Sequence, residues 1–170
     1  MADSHGPRVA VCPGSYDPVT NGHLDIIGRA ARIFDRVVVG IVGNAPRKAG
    51  HLFTPEERKE FIEQAVAANG VDNVEVRIFR NLLVEFARDC GATAIVKGLR
   101  AISDFEYEFE MNQLNRKLAE DIESVYILAS PDYSFIRSSG VKEIAAFGGD
   151  VSELVPAAVA DALVERARRG

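Results

Sequence analysis

The sequence predicts an α/β fold built on an open, mostly parallel sheet. Three observations carry that reading. Short runs rich in Val and Ile recur five times, segments with helical spacing lie between them, and several runs show little polar alternation. The last feature marks strands covered on both faces, and strict strand–helix alternation is the pattern of crossover units. With 170 residues and no internal repeat, low-complexity tract or linker, the chain is expected to be a single domain. The layout is Rossmann-like, with helices on both faces of five strands.

The expected strands are Val9 to Cys12, Val37 to Val42, Val74 to Phe79, Thr93 to Val96 and Val125 to Ala129. After the first strand, Leu24, Ile27, Ala31 and Phe34 recur at helical spacing. Before the third, Thr54-Pro55-Glu56-Glu57 supplies a capping hydroxyl, a proline at the first helical position and acids in the first turn. Leu83, Phe86, Ala87 and Cys90 form another helical face, closed by Gly91 as a C-terminal cap. A longer helix starts at Ser103, with Phe105, Phe109, Met111 and Leu114 among its apolar positions. Two more run from Ser138 to Phe147, ended by "GGD", and from Pro156 into a basic tail.

Composition narrows the class. A chain with 47% hydrophobic and 26% charged residues is globular rather than disordered. A net charge of -5 argues against a general binder of nucleic acid or of a membrane surface. Cys12 and Cys90 are too far apart for a C-x-x-C pair and have no His/Cys cluster around them, so both read as buried, inert thiols. No segment approaches the roughly 18 consecutive apolar residues of a membrane span. The opening "MADSHGPR" lacks the basic start and apolar core of a signal peptide, so a cytoplasmic protein is expected.

Ligands of such sheets bind beyond the carboxyl ends of the strands. Ser15, Tyr16, Thr20, Asn21 and His23 follow the first strand, and Asn44, Arg47 and Lys48 the second. Asn81 follows the third; Lys97, Gly98 and Arg100 the fourth; Tyr133, Ser134, Arg137, Ser138 and Ser139 the fifth. Loops are polar in general, but four of these five ends carry a cation or a histidine in an acidic protein. That bias points to an anion site. In "CPGSYDPVTNGHLDII", Gly14 permits close backbone approach and Asn21-Gly22 opens a helix whose free amides favour an oxyanion. His23, in the first turn, can present a ring N–H to the same anion. Neither the phosphate-binding loop with its Gly-Lys-Ser/Thr ending nor a G-x-G-x-x-G fingerprint is present. The acids Asp104, Glu106, Glu108 and Glu110 read as a solvated face, with room for one of them to meet a cation in the cleft.

Thr20-Asn21-Gly22-His23 resembles the T/H-x-G-H signature of the nucleotidyltransferases. "KGLRAISDFEYEFEMNQLNRKL" and "YSFIRSS" resemble the bacterial phosphopantetheine adenylyltransferases. The resemblance spans about Val9 to Pro156. It implies adenylyl transfer from ATP to 4′-phosphopantetheine in coenzyme A biosynthesis, with His23 stabilising the transition state and Lys48 and Arg100 beside it. It places Ser15, Tyr16, His23, Gly98, Leu99, Arg100, Glu108, Tyr133, Ser134, Phe135, Ile136, Arg137, Ser138 and Ser139 at ATP. Ser15, Lys48, Leu83, Lys97 and Asn115 would meet phosphopantetheine. It further implies Mg²⁺ carried by phosphates and water rather than by protein ligands, a homohexamer, and coenzyme A as an inhibitor. Arg137 departs from the family's usual serine and Gly140 from an apolar residue; Lys97 is arginine in some members. Arg47 and Lys48 compete for one cationic role, with Lys48 preferred. Competing readings are another acceptor (nicotinamide mononucleotide, or glycerol 3-phosphate with CTP), a non-catalytic nucleotide sensor, and a plain flavodoxin-like domain.

Overall fold

A computed structural model describes residues 6–43 and 50–169. Strands β1 (Val9–Gly14), β2 (Arg36–Val42), β3 (Val74–Phe79), β4 (Ala94–Leu99) and β5 (Glu123–Leu128) form one sheet in the order β3-β2-β1-β4-β5. Every adjacent pair is parallel, so the sheet is wholly rather than mostly parallel. The helices are α1 (Asn21–Ile33), α2 (Pro55–Ala68), α3 (Leu83–Asp89), α4 (Ile102–Leu118), α5 (Ser138–Ala146) and α6 (Ala157–Arg169).

Alternate strand residues serve two cores. Ala10, Cys12, Val37, Val39, Ile41 and Val96 pack with α1, α2, α5 and α6. Val9, Val11, Val38 and Ile95 point the other way, towards Val84, Phe86 and Ala87 of α3. Burial on both faces explains why these strands read as unbroken Val/Ile runs. Thr54 caps α2 reciprocally with Glu57, and Pro55 opens it, as the sequence suggested. Gly91 follows α3 with φ +68, a left-handed conformation that glycine adopts without strain.

Several boundaries shift: β1 runs on to Gly14, two residues past the expected Cys12, and β2 starts one residue early at Arg36. β4 runs on to Leu99 because Lys97, Gly98 and Leu99 pair with Tyr126, Ile127 and Leu128 of β5. These three are therefore strand residues, not loop residues after a strand ending at Val96. β5 starts at Glu123 and stops at Leu128, one residue short of the expected end. α4 differs in another respect. None of its residues is buried, and its aromatic positions lie on the surface.

The order of the strands positions the cleft. The chain leaves β1 towards β2 on one side and returns as β4 on the other. β1 pairs with β4 only at Ala10↔Ala94 and Val11↔Ile95, whereas it stays paired with β2 as far as Gly14↔Ile41. The carboxyl ends of β1 and β4 thus separate at the switch point, where ligands of such sheets bind.

Beneath the sheet, Gly40 gives the stacked rings of Phe79 and Phe86 their space; a Cβ there would lie 2.5 Å from Phe86. Gly40→Ala is expected to destabilise the fold by about 1–3 kcal/mol through overpacking, read as a lower urea midpoint with an unchanged slope.

Candidate active site

A cleft of about 760 Å³ opens between the separated ends of β1 and β4. Ser15, Tyr16 and His23 line one wall, Lys97, Gly98, Arg100 and Glu108 another, and Tyr133, Ile136, Arg137, Ser138 and Ser139 a third. Leu83, Leu99, Asn115, Ser134 and Phe135 are not among its lining residues. Leu83 packs against the second core and Leu99 is buried. Asn44, Arg47 and Lys48 lie outside the described residues.

His23 is fixed by the cap of its own helix. The Thr20 backbone N–H donates to His23 Nδ1 at 3.0 Å, and the Thr20 hydroxyl lies 3.1 Å from the same nitrogen and accepts from the His23 N–H. A nitrogen that accepts from a backbone amide carries no proton, so the ring proton sits on Nε2. Tyr16 supports the ring edge-on, with centroids 5.1 Å apart, while its own hydroxyl donates to the Cys12 carbonyl at 2.9 Å. Its φ of 50° is strained for a residue with a side chain, and the buried ring holds it there. Burial, and secondarily the charge of Arg100, lower the His23 pKa to about 4. The group is therefore a neutral N–H donor at physiological pH.

The first turn of α1 is less open than expected. The Asn21 amide is taken by the Leu154 carbonyl and the His23 amide by Thr20, so the imidazole rather than a row of free amides is the donor available there. α5 is the opposite case. It starts behind Arg137 with no side-chain cap, and Arg137, Ser138 and Ser139 line the cleft at its positive end. The Ser138 hydroxyl donates to the Pro18 carbonyl at 2.9 Å and ties this helix to the His23 loop.

The acids of α4 are divided between surface and cleft. Asp104 accepts a forked pair from Arg100, with Nε at 3.0 Å and Nη2 at 3.2 Å, and Glu108 lies 2.7 Å from the Lys97 ammonium. Arg100 also donates to the Ile136 carbonyl at 3.3 Å, which joins β4 to the segment before α5. Burial works against the Asp104 charge, but the Arg100 contacts outweigh it and hold the carboxyl below its ordinary range. Gly98 lies between these two cations. A Cβ on it would come within 2.8 Å of Ile26 of α1, so glycine is what lets α1 approach the strand.

Sequence reasoning missed Asp17 and Lys142. Asp17 is 5% exposed and accepts from the amides of Leu52 and Phe53 and from Lys142, each at 2.9 Å. Burial would raise its pKa, yet the two amides and the ammonium keep it lowered. Lys142 lies one helical turn beyond Ser138, so spacing alone could have placed it on the same face. The burial of Asp17 had no such signal. Cys12 lines the cleft as a thiol whose pKa burial raises to about 12, which leaves it protonated. Among the described residues no group of three or more His, Cys, Asp or Glu is arranged to hold a metal ion. Nor is any helix long and apolar enough to cross a membrane.

A parallel sheet split at its switch point, with a capped histidine and four cationic side chains around the opening, defines a nucleotidyltransferase-type site. The chain belongs to the cytidylyltransferase-like family, whose model matches residues 11–144. Within it, the chain falls among the phosphopantetheine adenylyltransferases. It is 47% identical to that of Clostridium perfringens (strain SM101 / Type A), over 94% of each chain. It is 51% identical to that of Heliobacterium modesticaldum, over 93% of this chain and 92% of the relative. A crystal structure of a putative nicotinate-nucleotide adenylyltransferase from Vibrio parahaemolyticus shares the fold, with a TM-score of 0.73 at 16% identity over 97% of this chain and 98% of the other.

The depressed His23 pKa has a consequence for stability. The unfolded chain protonates this ring near 6.5 while the folded protein resists until about pH 4, so the proton favours unfolding between those values. The contribution is complete above about pH 6.5 and is lost as pH falls towards 4. In chemical denaturation across that window, wild type is expected to lose on the order of 3 kcal/mol more than His23→Gln.

Proposed function

We propose that the chain transfers the adenylyl group of ATP to 4′-phosphopantetheine, releasing pyrophosphate and forming dephospho-coenzyme A. Its identity to two phosphopantetheine adenylyltransferases along nearly the full length of each chain is the observation that carries this reading. The cleft suits the reaction. An oxygen of the acceptor phosphate attacks the α-phosphorus, a new P–O bond forms, and the bond to pyrophosphate breaks in line. The attacking group is already an anion, so no general base is needed, and the protein's task is positioning and charge stabilisation.

His23, as a neutral Nε2–H donor, bonds an oxygen of the α-phosphate and strengthens that bond as charge gathers there. Neutrality matters: the ring donates without a proton that could be lost to the phosphate. Ser15 orients the acceptor phosphate across from it, with Lys48 contributing charge from the segment after β2. Lys97 receives the pantetheine substrate. Arg100, Arg137 and the open end of α5 receive the phosphates of ATP; Gly98, Glu108 and Tyr133 border the nucleotide. Tyr16 acts from beneath His23. Lys97 and Arg100 are already paired with Glu108 and Asp104, so substrate phosphates meet cations whose positions are set in advance.

Mg²⁺ accompanies the triphosphate. The cleft's described carboxylates fit that arrangement: Asp17 and Glu108 are each committed to a lysine, which leaves phosphates and water as its ligands. The ion would neutralise charge on the departing pyrophosphate. Coenzyme A shares the adenylyl and pantetheine portions of the product and is expected to compete for the cleft. The protein acts in the cytoplasm as a homohexamer. Support for assembly comes from the surface: the rings of Phe105 and Phe109 meet on exposed α4, and Leu128 on the sheet edge and Phe135 are 71% and 69% exposed. Apolar area of that kind is normally covered by a partner.

Pyrophosphate release from Mg²⁺ and ATP tests the reaction. Release is expected with 4′-phosphopantetheine and not with nicotinamide mononucleotide; the reverse would refute the acceptor. His23→Ala should lower turnover about 10²–10³-fold. His23→Gln, whose amide nitrogen reaches the Nε2 position, should recover part of that loss. Phe109→Glu should shift the protein from hexamer to smaller species in sedimentation, whereas an unchanged mass would remove α4 from the interface.

A further inference from the structure

Arg58 is the largest fully buried side chain among the described residues, only 1% exposed. It stands in the first turn of α2 and makes no ion pair within contact distance among those residues. Its guanidinium instead donates to three backbone carbonyls. Nη1 reaches the Ser15 oxygen and the Val42 oxygen, the latter at 3.3 Å, and Nε reaches the Thr54 oxygen at 3.3 Å. Burial lowers its pKa, and the negative charges of Asp17 and Glu56 oppose that loss. Removing a guanidinium from water is costly, and an apolar side chain of the same size would fill the space more cheaply. Filling space is therefore a poor account of an arginine here.

The three carbonyls belong to separate segments that the reaction must hold in register. Ser15 is on the loop between β1 and His23. Val42 ends β2, just before the segment carrying Arg47 and Lys48. Thr54 caps α2, just after that segment. Arg58 does not line the cleft and touches no reacting atom.

We propose that Arg58 is a positioning residue for adenylyl transfer, locking the Ser15 loop to both ends of the chain segment that carries the acceptor-side cation. The planar fork is what permits this. A guanidinium can address several oxygens in fixed directions, whereas an ammonium is a single point. The inference rests on the proposed roles of Ser15 and Lys48, and it predicts lost alignment rather than lost nucleotide binding.

The test is steady-state pyrophosphate release by wild type, Arg58→Met, Arg58→Lys and Ile62→Val, the last a core-shortening control one turn further along α2. Both Arg58 variants should lose about ten- to a hundredfold in kcat, the scale of a small misalignment. Their KM for ATP should stay within about threefold of wild type, because the nucleotide meets β4 and α5. Ile62→Val should keep its kcat per folded molecule. Wild-type kcat in Arg58→Met overturns the proposal, as does an equal loss in the Ile62→Val control. If Arg58→Met does not fold, Arg58→Lys decides, and wild-type kcat there overturns it. Inactivity of wild type itself with 4′-phosphopantetheine would instead refute the reaction assignment.

Discussion

The separation of β1 from β4 is the constraint on which the site depends. The ladder between them holds only at Ala10↔Ala94 and Val11↔Ile95, while each strand stays paired with its other neighbour well beyond that point. The two carboxyl ends are thus held by rigid elements yet apart from each other. Ser15, Tyr16 and His23 follow the β1 edge of that split, and Lys97, Gly98 and Arg100 stand on or just after the β4 edge. Pro13 falls where the partner on that side is already gone, a place where a strand tolerates a missing amide.

A second theme is the management of charge. The chain is acidic overall, yet its cleft gathers Lys97, Arg100, Arg137 and Lys142. Three of these four are paired with Glu108, Asp104 and Asp17, so the cations are oriented before a substrate arrives. Preorganised charge of this kind needs little rearrangement during reaction, which is where its value in catalysis lies. Arg137 has no such carboxylate partner within ion-pair distance among the described residues and is exposed. Arg58 lies behind this layer and holds backbone, while Asp17 holds both Lys142 and the amides of Leu52 and Phe53.

Much of this was legible in the sequence, for reasons that can be traced to particular residues. Uniform Val/Ile runs gave the buried strands, and Thr54-Pro55 and Gly91 marked helix ends because capping is local chemistry. His23 stood out by its place after Gly22 at a helix start. Lys97 and Gly98 were misplaced because pairing with β5, not local preference, decides where β4 ends. The buried partnerships of Asp17, Lys142 and Arg58 were invisible because each joins segments far apart in the chain. The aromatic face of α4 has helical spacing, and spacing alone does not say whether such a face meets the protein's own core or its outer surface.

A neutral His23 donor requires the ring proton on Nε2, with Nδ1 accepting from the Thr20 amide. Nitrogen-15 chemical shifts of the His23 ring, recorded between pH 6 and 8 with and without ATP, test it directly. A protonated, pyrrole-like Nε2 and an unprotonated Nδ1 are expected across that range. A ring carrying its proton on Nδ1, or one positively charged at pH 7, would contradict it.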